Sequence, residues 1–166
     1  LSGTAGIGKT RLAEEMSEWA RRQGITVMQA YSYAAEGALP FAPVATWLRA
    51  RSLPPLTLHW KREVARLLPE LLTQDAVLAP PPLSEEWQRQ HFFEALARAL
   101  LEGSQPLMLL IDDLQWCDRD TIEWLHYLLR FDPHARLLII GAVRLEELTS
   151  NHPLNALTAA LHRNHQ

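Results

Sequence analysis

The sequence predicts an α/β fold, a three-layer α/β/α sandwich built on a mostly parallel sheet. Three observations carry that expectation. A glycine-rich stretch, Gly3 to Thr10 (GTAGIGKT), opens an amphipathic helix; short apolar runs alternate with helical patterns along the chain; and one apolar run ends in the paired acids Asp112 and Asp113. Near-continuous apolar strands are what a parallel sheet covered on both faces requires, and right-handed crossovers then place helices on either side of it.

The opening stretch has the full spacing G-x-x-x-x-G-K-[ST], the phosphate-binding loop (P-loop), at Gly3, Gly8, Lys9 and Thr10. A polyphosphate needs many donors aimed at one small volume, and a bare backbone turning into a helix supplies them as N–H groups beside the positive helix end. The expected binding set is Gly3, Thr4, Ala5, Gly6, Ile7, Gly8, Lys9, Thr10 and Arg11. Lys9 would reach the β and γ phosphates, and the Thr10 hydroxyl would hold Mg2+. The plain alternative is a flexible glycine turn before an ordinary helix. Of the 16 basic residues only Lys9 and Lys61 are lysines, so the lysine in the loop does not reflect a lysine-rich background.

From Lys9 to Gln23, Leu12, Ala13, Met16, Trp19 and Ala20 recur at helical spacing, and Gly24 is a natural stop. Ile25 to Tyr31 reads as a strand. Eight of the 11 prolines lie between Pro40 and Pro82, with short helices expected at Val44–Arg51 and His59–Leu68. A long helix is expected from an N-cap at Ser84 to Leu101, with Phe92, Leu96, Ala99 and Leu100 on one face and Gly103 after it. Leu107–Ile111 then forms a buried strand. Asp120 with Glu123 resembles a capping box for a helix Thr121–Arg130, whose Ile122, Leu125, Leu128 and Leu129 read as core. Arg136–Val143 is a further buried strand, and a last helix runs from about Leu154 to Leu161.

Ligands of parallel sheets lie at the carboxyl ends of strands, where Asp112 and Asp113 stand. Asp112 would complete the Mg2+ shell with Thr10, and Asp113 would orient or deprotonate an attacking water. Alone, the pair also fits a strand followed by a solvated turn; the phosphate loop upstream favours the chemical reading. Arg144, directly after its strand, is placed to touch a γ phosphate, the alternative being a surface pair with Glu146 or Glu147. Because the loop and the acids must meet around one Mg2+, all strands belong to one sheet. Residues 1–166 are therefore expected to form one core, with the proline-rich stretch at about 38–83 as a helical insertion.

With 48% hydrophobic and 21% charged residues, the 166-residue chain can bury a sizeable core. No apolar run approaches the ~20 residues of a spanning helix, so no membrane association and a cytoplasmic location are expected. A single cysteine, Cys117, excludes an internal disulfide, and a partly buried, quiet thiol is the expectation there. The net charge of −3 argues against a broad nucleic-acid surface, and the scattered histidines lack the spacing of a zinc site. The guanine-reading pattern Asn-Lys-x-Asp is absent, the first asparagine being Asn151 before His152, which favours ATP. Only Leu1 and Ser2 precede Gly3, so the chain is expected to be truncated at its first strand.

Taken together, LSGTAGIGKTRLAEE, LPFAPVATWLRA, LMLLIDDLQWCDRDTIEWLHYLLR, RLLIIGAVRLEEL and HPLNAL resemble the ATPase domain of STAND proteins, relatives of AAA+ ATPases, as found in large LuxR-type bacterial regulators and cyclase-linked AAA domains. The resemblance implies a P-loop NTPase sandwich of strand order 5-1-4-3-2, with one strand between those ending in the phosphate loop and in Asp112. It implies an ATP/ADP switch with slow hydrolysis and nucleotide-dependent self-association. By position it makes Asp113 the water-activating residue and Arg144 the sensor arginine, both acting with Lys9. Gln115 and Cys117 replace the His and Ala usual in Asp-Asp-Leu-His-Trp-Ala-Asp. DNA contact is expected only through a domain absent from this chain. The other readings weighed are an AAA+-like machine component, a P-loop kinase and a nucleotide-binding module without turnover.

Overall fold

The computed structural model describes residues 1–34, 39–74, 79–103 and 105–163. Parts of the expected insertion, residue 38 and residues 75–78, lie outside the described residues. In chain order the elements are β1 (Ser2–Gly3), α1 (Lys9–Arg22), β2 (Thr26–Tyr31), α2 (Ala42–Arg49), α3 (Leu58–Val64), α4 (Glu70–Gln74), α5 (Glu86–Leu101), β3 (Leu107–Asp112), α6 (Arg119–Phe131), β4 (Leu137–Gly141), β5 (Val143–Arg144) and α7 (Pro153–Arg163). The expected α/β architecture with parallel strands is what forms.

All ladders are parallel. β3 lies between β2 and β4, with Leu109 opposite Met28 on one side and Ile139 on the other. β1 pairs with β5, placing Gly3 opposite Arg144. β4 and β5 are separated only by Ala142, whose N–H donates to Ile111 O at 2.9 Å, so the ladders run on from one another. The strand carrying Arg144 thus stands between the one leading into the glycine loop and the one ending in Asp112. The two sheets, β1-β5 and β2-β3-β4, joined end to end through β4 and β5, follow the 1-4-3-2 portion of the expected order, with β4 and β5 together in place 4; the expected outermost strand beside β1 has no counterpart among the described residues.

The alternation of β3 decides what faces what. All six of its residues are buried. Leu107, Leu109 and Ile111 join the larger core with Val44 and Trp47 of α2, Phe92, Leu96 and Leu100 of α5, and Trp124, Leu125 and Leu128 of α6. Met108 and Leu110 point the other way, with Ile140, against Ala13 and Ala20 of α1. By the same period of two, Asp112 emerges on the α1 side. Each large side chain fully buried in α5 contributes about 1.5–3 kcal/mol. That outweighs the half-buried Arg98–Glu94 pair on the same helix, an interaction of about 1 kcal/mol, so packing positions α5.

Of the residues at helical spacing in α1, Ala13 and Ala20 face the sheet together with Ser17, while Leu12 and Trp19 are 50% and 59% exposed. Two expectations are corrected. The N-cap of α5 is Glu85, not Ser84: Glu85 and Gln88 form the capping box, and Ser84 N–H donates to the Gln88 Oε1 as well. α6 starts at Arg119 with Asp118 as N-cap, its Oδ1 accepting from Thr121 N at 2.8 Å. Asp120 and Glu123 instead clasp Arg89 of α5 at 2.6 and 2.7 Å. Asp118 also accepts from Phe41 N at 3.2 Å, so one carboxylate ties the proline-rich segment to α6. No helix among the described residues is long and apolar enough to cross a membrane.

Candidate functional site

The glycine loop bends because two of its residues occupy backbone space closed to most side chains. Gly6 has φ 76° and Gly8, the N-cap of α1, has φ 97°. In that left-handed region glycine bears no steric cost. No side chain caps α1, so its first-turn N–H groups, unpaired by helix geometry, are left to face the loop's concavity. A negative partner is what such an end attracts.

One is present. Glu146, exposed in the 3-10 turn Leu145–Glu147 after β5, accepts from Ala5 N at 2.8 Å. Its own backbone N–H and that of Ala5 hold its carboxyl below the ordinary glutamate range, with Lys9 and Arg144 adding attraction. Lys9, at the start of α1, turns its ammonium back on the loop, donating to Gly3 O at 2.9 Å and Thr4 O at 2.8 Å. Arg11 is exposed on the first turn of the helix.

The loop and the first acid meet. Thr10 Oγ1 donates to Asp112 Oδ2 at 2.8 Å across 102 positions of sequence, and Asp112 Oδ1 accepts from Asp113 N at 3.0 Å. Asp112 is only 7% exposed. A hydroxyl and a carboxylate at this separation, both hard oxygen donors beside the loop, fit Mg2+, which takes one or two protein oxygens and fills its shell with water and phosphate.

Asp113 and Arg144 form a second knot beside the first. Asp113 is left-handed at φ 53°, which turns its side chain off the strand direction. Arg144 grips it in two places, Nε to Oδ1 at 3.0 Å and Nη2 to Oδ2 at 3.1 Å. The guanidinium also reaches Glu147 at 3.2 Å and lies over the Trp116 ring, 4.9 Å from its centroid. The expected alternative for Arg144, a pair with Glu147, therefore coexists with a contact to Asp113 that was not foreseen. Gln115, 4% exposed, joins the knot by donating to Asp113 Oδ1 at 3.0 Å and accepting from Arg144 N at 3.1 Å. Gln115 and Glu146 are the residues that the spacing of motifs passes over; both are named there only as a departure from a pattern and as a surface partner.

Cys117 lies nearby but is buried, and burial first, then the Asp118 charge, pushes its thiol up to about 12. A thiol so protonated is no nucleophile near neutrality. Among the described residues, no three or more His, Cys, Asp or Glu side chains gather as a metal-binding group.

In comparison with known families, a model described as AAA ATPase domain matches residues 1–140. No curated protein matches the chain.

Proposed function

The chain belongs to the AAA ATPase domain family, a nucleotide-using group, and on that premise we propose that it is an ATP-binding, slowly ATP-hydrolysing switch domain of a signalling or transcription-regulating protein of the STAND type. The observation that carries this reading is the 2.8 Å bond between Thr10 and Asp112, which joins the loop to the strand-end acid. Residues 1–166 are read as one ATPase core, with 38–83 inserted into it.

In this reading the loop Gly3–Arg11 receives the phosphates, and Lys9 exchanges the carbonyls of Gly3 and Thr4 for phosphate oxygens. Thr10 and Asp112 hold Mg2+, which neutralises charge on the phosphate oxygens when bound. Asp113 accepts a proton from the attacking water or aims it. Arg144 moves from Asp113 toward the γ phosphate, a short path, since Gly3 lies opposite it in the sheet. The clasp between Arg144 and Asp113 belongs to the resting arrangement, in which the acid is engaged and turnover is slow. Glu146 must leave Ala5 N–H before a phosphate takes that donor.

Two experiments follow. Sedimentation velocity with ADP and with a non-hydrolysable ATP analogue should give a monomer with the first and a larger species with the second. Identical sedimentation in both states would remove the switch from the reading. Glu146→Gln should tighten ATP affinity by about two- to fivefold, the scale of one exposed charge contact. Titration calorimetry measures it; unchanged or weaker affinity would show that Glu146 does not compete for the loop.

A further inference from the structure

We propose that Gln115 is a positioning residue for the water-activating acid, keeping Asp113 aimed while the Arg144 side chain is elsewhere; the inference rests on the roles proposed for Asp113 and Arg144. Gln115 is buried, and its two amide ends have different partners: Nε2 meets Asp113 Oδ1 at 3.0 Å, and Oε1 meets the backbone N–H of Arg144 at 3.1 Å. Those partners fix which end is which. A flipped amide would set oxygen against carboxylate and NH2 against N–H, two repulsions in place of two bonds.

The residue is also held from behind. His152, one position before α7, donates from Nε2 to Gln115 O at 2.8 Å. The opposite ring nitrogen, Nδ1, accepts from Leu154 N at 3.2 Å, which fixes the tautomer with the proton on Nε2.

The consequence lies in which atoms of Arg144 are used. Its guanidinium supplies two of the three side-chain contacts to the Asp113 carboxylate. Turning that guanidinium to a phosphate would remove both and leave the Gln115 amide as the remaining one of the three, on an acid in a left-handed backbone. Gln115 grips Arg144 only through the main chain, so its hold survives that movement. Its amide remains on Oδ1 and leaves Oδ2 open to a water.

The test compares Gln115→Met, which removes both bonds at similar volume, with Gln115→Glu, which keeps the acceptor for Arg144 N–H and loses the donor to Asp113. In the full chain both should lower kcat by about tenfold, since small misplacements of a reacting group are costly. ATP affinity should stay within about twofold of the parent, because Gln115 does not touch the loop. In an Asp113→Asn background, Gln115→Met should cost nothing further in single-turnover hydrolysis, a non-additivity that a purely structural role would not produce. Parental kcat in either variant, affinity falling in step with kcat, or the full tenfold loss in the Asp113→Asn background would overturn the proposal. Should Gln115→Met fail to fold, Gln115→Glu answers the same question. A parent without hydrolysis, or an Asp113→Asn variant at parental rate, refutes the proposed function itself, whereas an inactive Asp113→Asn beside a fully active Gln115→Met refutes only the role of Gln115.

Discussion

Replacing Lys9 with alanine should weaken ATP binding by about 100-fold or more, the scale expected when one partner of a hydrogen-bonded charge pair is deleted. The ammonium sits 2.8–2.9 Å from two carbonyls of its own loop, so it is already poised over the concavity into which phosphate oxygens would enter. No other lysine stands near it in sequence to take over, the next being Lys61. Arginine is not an equivalent, because its planar fork is larger than a point donor inside a tight turn. Without nucleotide the same variant should be destabilised by only about 1–3 kcal/mol, since what it loses in the fold is two hydrogen bonds from the ammonium at a partly exposed site. Unchanged affinity measured by calorimetry would show that the loop does not bind phosphate through Lys9.

Asp113→Asn is the complementary change, and it should lower hydrolysis by about 100-fold or more while leaving ATP affinity within about twofold. Asparagine tolerates the left-handed backbone at position 113 as well as aspartate does, so the turn after β3 keeps its course. It cannot take a proton from water, and it releases Arg144 from a charged clasp. Phosphate release at the parental rate would mean that another group activates water. ATP consumption with no free phosphate would instead indicate transfer to an acceptor, the kinase reading. Binding without turnover in the parent itself would favour a nucleotide-binding module.

The elements that were legible in the sequence are those whose signals are local and redundant. The helix after the loop was readable because Lys9–Arg22 combines helical periodicity with Gly24 beyond it, and β3 because five consecutive apolar residues, Leu107–Ile111, lead into Asp112. Helix starts were less legible. Ser84 and Glu85 both fit the start of α5, and the local capping box with Gln88 selects Glu85; between Asp118 and Asp120 the choice falls to partners distant in sequence, since Phe41 N–H recruits Asp118 and Arg89 draws Asp120 away. The spacing of Leu12, Ala13, Met16, Trp19 and Ala20 identifies the helix but not its inner face, which the neighbouring sheet sets at the small side chains Ala13, Ser17 and Ala20.

The candidate site divides in the same way. The loop and the acid pair could be read from spacing, and their meeting follows from strand alternation once α1 is known to cover the Met108 face of β3. The contacts of Glu146 with Ala5 and of Arg144 with Asp113 span 141 and 31 positions. They depend on β5 lying beside β1, a pairing that two-residue strands do not announce. Gln115 was visible only as an amide where a related pattern has an imidazole; its two bonds required the turn after β3 to be seen in space.

The carboxylate resting on Ala5 has a consequence for how the loop meets its ligand. A cradle furnished with its own negative group receives a polyphosphate by substitution of one anion for another, so the measured affinity is the gap between two occupants. The resident acid is tethered a few residues from β5 and arrives without diffusing, which lets it reclaim the amide as soon as a spent nucleotide loosens. On the proposed function, departure of product would thereby be hastened by a competitor at fixed, high local concentration, and the lifetime of each nucleotide state would be written partly in the short turn between Arg144 and Leu148.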